Sequence, residues 1–198
     1  ETEHFTIYAD QKIKESTLEF IAVNQEYFYL KNSKLLNEEF DKKINSFIFI
    51  SSLQKKNLFG SGNADVAKPW QNSVYVSLDT WENSLEHEIA HCFAGKFGWG
   101  IFKVAADFNP ALIEGVAEAC DGFYDEVNIH FLASIANKNN YKTSISNLFS
   151  GFSFFGNVSG LSYIYSGSFI KFLIEQYGVN KLKKYYQLYP MWLRSYEQ

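Results

Sequence analysis

His87-Glu88-Ile89-Ala90-His91 is the stretch whose residue types and spacing could do chemistry. The pattern, H-E-x-x-H, lies in a run from Trp81 to Phe97 that reads as a helix. Residues four apart share a helix face, one turn above each other. Two imidazoles would therefore stand side by side and could close on one metal ion. Glu88, next to His87, could reach a water held by that ion. Two neutral nitrogen ligands, one open position and one carboxylate base are the parts needed for metal-assisted hydrolysis. The competing reading is a pair of solvated histidines on a surface helix. A third ligand elsewhere in the chain would separate the two.

A catalytic zinc ordinarily keeps three protein ligands and an open position. The two other histidines, His4 and His130, have no second motif around them, and His4, near the terminus, is expected to be solvated. The metzincin pattern would need glycine at position 94 and histidine at 97; the chain has Ala94 and Phe97, which excludes it. Carboxylates are available downstream. Glu114 and Glu118 stand four apart in a stretch that is otherwise apolar: Ala111, Leu112, Ile113, Val116, Ala117 and Ala119. Burying two glutamates there is costly without partners. A metal and a ligating histidine would be such partners; the alternative is that both glutamates face water. Gly115, beside Glu114, would let this helix and the motif helix approach closely.

These residues need elements to hold them. His4 to Ala9, Ile44 to Ser51 and Ser73 to Leu78 alternate or are β-branched and aromatic, and predict strands. Ile13 to Leu30 has helical apolar spacing, followed by a polar loop or frayed end from Lys31 to Lys43. Leu53 to Lys68, with Gly60, Gly62 and Asn63, reads mostly as loop. Asp79 or Thr80 is a good N-cap for the motif helix, which three glycines end between Gly95 and Gly100. Pro110 suits a first helical turn and opens Ala111 to Phe123. Helices are then expected at Val127 to Ala136, Ser162 to Tyr177 and Val179 to Tyr189, with Lys181, Lys183 and Lys184 as a solvated face. The fold class is α+β: a small N-terminal mixed sheet with a helix, then a helical C-terminal half. One catalytic domain is expected over 1–198, with an α/β subdomain at 1–80 and a helical subdomain at 81–198 carrying the metal site.

Composition narrows the function. The 198 residues are 46% hydrophobic and 20% charged, with 19 Phe, 13 Tyr and 4 Trp, as suits a folded chain with a ring-rich core. A net charge of −4 offers no basic patch, so no nucleic-acid partner is expected. No apolar run approaches the roughly 18 residues of a transmembrane segment. Cys92 and Cys120 form no metal knuckle and read as two buried free thiols. The chain starts at Glu1 rather than Met, as a processed form or excised piece would.

His-Glu-Ile-Ala-His followed by Pro110-Ala-Leu-Ile-Glu-Gly-Val-Ala-Glu118 resembles the gluzincin zinc metallopeptidases. Within them it looks most like the compact peptidase MA-like domains related to thermolysin and aminopeptidase N. The resemblance implies a zincin-like fold with the active-site cleft between its two halves, and a Zn2+ cofactor. It implies His87, His91 and Glu114 as zinc ligands, Glu88 as general base, and Glu118 as a hydrogen-bond partner of a ligating histidine. It extends to Tyr163-Ile-Tyr-Ser-Gly-Ser-Phe, where such enzymes place a tyrosine over the zinc; Tyr163 fits the offset, and Tyr165 is the alternative oxyanion donor. It also implies an edge strand that pairs with extended substrate, for which Val74, Tyr75 and Val76 are the candidates.

The chain departs from the pattern in two places. Ala111 stands where the family carries tryptophan, and the G-A-M-E-N signature of the aminopeptidases is absent. The expected activity is therefore zinc-dependent hydrolysis of a peptide or protein substrate, in endopeptidase fashion. The alternatives are a zinc-binding interaction domain without useful turnover, or a zinc hydrolase of a non-peptide substrate. An extracytoplasmic setting is expected by family analogy.

Overall fold

The computed structural model describes residues 1–62, 64–156 and 159–188. It contains a small N-terminal mixed sheet with helices, followed by a helical half. Its two compact units are Glu1–Phe93 and Ala94–Gln198.

In the first unit, β1 (Phe5–Ala9), β2 (Ile44–Phe49), β3 (Val66–Lys68) and β4 (Ser73–Ser77) form one sheet in the order β1-β2-β4-β3. β1, β2 and β4 are parallel, and β3 runs antiparallel to β4. Parallel neighbours need crossover connections. α1 (Glu15–Leu36) supplies the first, and α2 (Ser52–Phe59) lies in the second. The register sets Phe5 beside Ile44 and Ile48 beside Val76, so one face is a buried apolar sheet surface. α1 covers that face: the Phe5 and Tyr29 rings meet edge-on at 6.1 Å, and the Gln25 amide donates to the Ser46 hydroxyl. The opposite face carries a stack of rings, with Tyr8 on Phe47 at 4.8 Å, Phe47 on Tyr75 at 4.7 Å and Phe59 on Tyr75 at 4.2 Å. Lys68 lies over the last two rings.

Four expectations change here. α1 runs on to Leu36 rather than ending at Leu30. Asn32 and Leu36 continue the buried face set by Ile21, Gln25 and Tyr29, so tertiary packing holds a stretch whose composition reads as polar. The stretch read as loop contains α2, capped by Ser51 and ended by Gly60 at φ 94°, and the short strand β3. α2 has no apolar stripe because its buried residue is Lys55, paired with the buried carboxylate of Asp65. The edge-strand assignment is corrected as well. Val74, Tyr75 and Val76 lie in β4, hydrogen-bonded on both sides by β2 and β3; the edges of the sheet are β1 and β3. A strand paired on both sides has no free ladder groups to offer a peptide. Finally, His4 is not solvated: its Nδ1 lies 2.6 Å from Glu26 Oε2 and its ring stacks on Tyr29 at 3.7 Å.

α3 (Trp81–Lys96) follows β4, and its start is pinned by the Lys55–Asp65 pair. The Asp65 carboxylate also accepts from the hydroxyls of Thr80 and Ser84 and from the Ser77 amide. Asp79, a cap candidate for α3, instead accepts from the Ser52 amide at the start of α2.

The second unit holds α4 (Pro110–Asp121), α5 (Ile129–Lys138), the short α6 (Ile145–Leu148), α7 (Ser159–Tyr177) and α8 (Val179–Tyr186). α8 ends at Tyr186; Tyr189, the expected end, lies outside the described residues. The half is not purely helical. β5 (Phe123–Tyr124) and β6 (Val127–Asn128) form a hairpin whose turn residues Asp125 and Glu126 have φ of 48° and 64°. α4 begins as expected, with Pro110 in its first turn and the Asn109 side chain accepting from the Leu112 amide. It packs closely on α7. A Cβ on Gly115 would sit 2.9 Å from Ile170 Cγ1, and one on Gly167 would sit 2.4 Å from Glu118 Cβ. Gly115 thus serves the approach of α7 rather than that of the motif helix expected from the sequence, and Gly167 returns the fit from α7.

Candidate metal centre

α3 is anchored along one side by Trp81, Leu85, Ile89, Cys92 and Phe93, all buried. Spacings of three and four keep these residues on one face. His87 and His91 lie off that face, half-buried. Their rings meet edge to face at 4.7 Å between centroids, and their Nε2 atoms lie 3.1 Å apart. Glu88 is buried, with only 7% of its surface exposed.

On α4, Glu114 is half-buried and Glu118, one turn on, is buried. The helix around them is apolar nearly all round: Ala111, Leu112, Val116, Ala117, Ala119 and Cys120 are buried. The ligand atoms of His87, His91 and Glu114 all lie within 4.8 Å of one another. Among the described residues this is the one group of three or more histidine, cysteine or acidic side chains so disposed.

The donor set fits zinc. Two ligands about 2.05 Å from a tetrahedral ion lie roughly 3.3 Å apart, and the two Nε2 atoms are at 3.1 Å. Two imidazoles and one carboxylate are also the three-ligand set that leaves a position open for water or substrate.

The two tyrosines have different surroundings. The Tyr165 hydroxyl donates to the Tyr141 carbonyl at 2.8 Å. Tyr163 packs against the Ala111, Leu148 and Phe154 cluster, its ring edge-on to Phe154 at 5.2 Å. Sequence reasoning missed Tyr186 on α8. This phenol is fully buried and its pKa is pushed up, first by desolvation and then by the negative charge of Glu114; a hydrogen bond from the Ala105 backbone opposes the rise. Glu114 therefore has a buried phenol as a neighbour. The signal lies in Leu182 and Tyr186, four apart on the expected helix among the lysines of its solvated face. Cys92 and Cys120 are buried thiols not joined in a disulfide, as expected.

No curated protein matches the chain. The family model of the Peptidase MA superfamily matches residues 51–191, which include the whole of α3, α4 and α7. With the H-E-x-x-H helix and the glutamate helix both under that match, which spans well over half of the chain, the chain belongs to the Peptidase MA superfamily.

Proposed function

We propose that this chain is a zinc metallopeptidase domain that hydrolyses internal peptide bonds. The observation that carries the reading is the convergence of the His87, His91 and Glu114 donor atoms within 4.8 Å, with Glu88 next to His87 on the same helix. Those three side chains would hold the ion. When bound, zinc supplies Lewis acidity, which polarises a carbonyl and acidifies water. Glu88 takes the proton from the attacking water and passes it to the leaving amine nitrogen. Its burial supports this role, because a carboxylate shielded from bulk solvent keeps the proton within the site. Tyr163 donates its hydroxyl hydrogen to the oxyanion of the tetrahedral intermediate, with Tyr165 as the alternative donor. Glu118 accepts from the second nitrogen of a ligating histidine and holds its tautomer. An extended substrate would add to the sheet at β3, the edge strand next to β4.

The test is digestion of a peptide library by the wild-type chain, by Glu88→Gln and by chelator-treated protein. Glu88→Gln is expected to lower turnover about 10²–10⁴-fold while zinc content stays unchanged. Cleavage by Glu88→Gln at the wild-type rate would refute the assignment, as would turnover indifferent to the chelator.

A further inference from the structure

α1 buries one face through Ile21, Gln25, Tyr29, Asn32 and Leu36. On its other side it presents Phe20, Val23, Tyr27 and Leu30, which are 58%, 69%, 61% and 60% exposed. At 3.6 residues per turn the two sets lie about 180° apart. Isolated surface hydrophobics need no explanation. Four in an unbroken 3-4-3 spacing are the a/d seam by which one helix pairs with another.

We propose that this seam pairs with α1 of a second copy of the chain, antiparallel, about a two-fold axis between Val23 and Tyr27. The charges at the ends of the seam select this occupant. The next seam positions are Ser16 on the N-terminal side and Lys34 on the C-terminal side, both exposed, and Glu15 and Glu19 are exposed beside Ser16. In the antiparallel register Phe20 layers on Leu30 of the second copy and Val23 on its Tyr27. Lys34 then falls opposite the small Ser16, between Glu15 and Glu19. The acidic first turns of each helix meet the basic last turn of the other at both ends, and the helix dipoles oppose. A parallel pair would set Lys34 against Lys34 and align the dipoles. A helix from another protein would have to bring both charge complements in this order, whereas a second copy carries them already. Lys31, beside the seam, is held by Glu86 at 2.6 Å and takes no part. The two-fold makes the contact isologous and closed, so assembly stops at the dimer. A seam of this size supplies less than the roughly 800 Å² per partner of a standard interface. The dimer is therefore a weak one, dissociating at about 10–100 µM.

Sedimentation velocity on the 198-residue chain from about 1 to 300 µM tests this. A reversible monomer–dimer equilibrium is expected. Val23→Glu and Tyr27→Glu should each weaken self-association at least tenfold, with circular dichroism and melting unchanged because both side chains already face water. Glu19→Lys and Lys34→Glu should each weaken it as well, and the double variant should recover it. A chain that stays monomeric throughout overturns the proposal, as does an undiminished dimer in Val23→Glu. Failure of the double charge swap to recover association overturns the antiparallel pairing on which the proposal rests.

Discussion

His87 and His91 differ from His4 and His130 in what their nitrogens face. His4 has a private partner, Glu26 at 2.6 Å, and a ring to stack on. His130 lies in a groove of about 500 Å³, with Nδ1 2.8 Å from the Ser168 hydroxyl and Nε2 3.7 Å from Glu175. Either can be satisfied by local hydrogen bonding or charge. In the α3 pair, two Nε2 atoms face one another at 3.1 Å, in a group with a third donor from Glu114. Two imidazole nitrogens with a carboxylate oxygen converging on them are a donor set suited to a cation. Serine, histidine and glutamate stand together around His130 too, so residue types alone do not make a metal centre; convergence does.

Breaking the convergence should have the largest effect. His91→Ala is expected to lose zinc by elemental analysis and to drop turnover to background; full zinc stoichiometry in this variant would remove the α3 pair from the metal. A smaller effect should come from the helix packing behind the glutamates. Gly167→Ala forces a methyl onto Glu118 Cβ and Ile129 Cδ1, at 2.4 and 2.5 Å in the present geometry. Overpacking of this kind costs about 1–3 kcal/mol, readable in urea melts, and unchanged stability would show that α4 and α7 give way freely.

The private contacts sharpen the comparison from the other side. At Glu26 desolvation pushes the pKa up, but hydrogen bonds from Thr2 and from the His4 side chain and backbone outweigh it and hold the carboxyl below its usual 4.5. The resulting stabilisation is complete above pH 4.5 and is lost as pH falls through the lowered folded value. Glu26→Gln should therefore destabilise the chain at neutral pH, by under about 1 kcal/mol because solvent screens the pair, and should narrow the gap to wild type in acid. Equal loss at pH 7 and in acid would show that the ionised form contributes nothing. The smallest effect is expected from His130→Ala. Its side chain is 37% exposed, and stability should stay within about 0.5 kcal/mol with zinc content unchanged. A fall in zinc would show that His130 does belong with the metal ligands.

Much of the fold was legible because local physics agreed with tertiary need. β1, β2 and β4 are short alternating or β-branched runs, and α4 carries its own start and stop signals in Asn109, Pro110 and Gly122. The missed elements depend on distant partners. α2 exists around a buried lysine whose counter-charge, Asp65, lies ten positions on. The hairpin at 123–128 rests on two non-glycine residues at positive φ, which turn rules built on Asn-Gly or Asp-Gly do not single out. The C-terminal turn of α1 is helical because Asn32 and Leu36 are buried, which its lysines and serine conceal.

The H-E-x-x-H spacing by itself determined that two imidazoles share a helix face, since a helix repeats every 3.6 residues whatever surrounds it. Likewise the spacing of Glu114 and Glu118 determined that two carboxylates share a face of a mostly apolar helix; whether they face water or a core was left to packing. Only the tertiary structure decided which strand is the sheet edge, because position in a sheet follows from pairing order and not from a strand's own composition. It alone brought Glu114 to within 4.8 Å of the histidine pair and Tyr186 to its side. Such meetings of residues far apart in the chain are made by packing, and no local rule carries them.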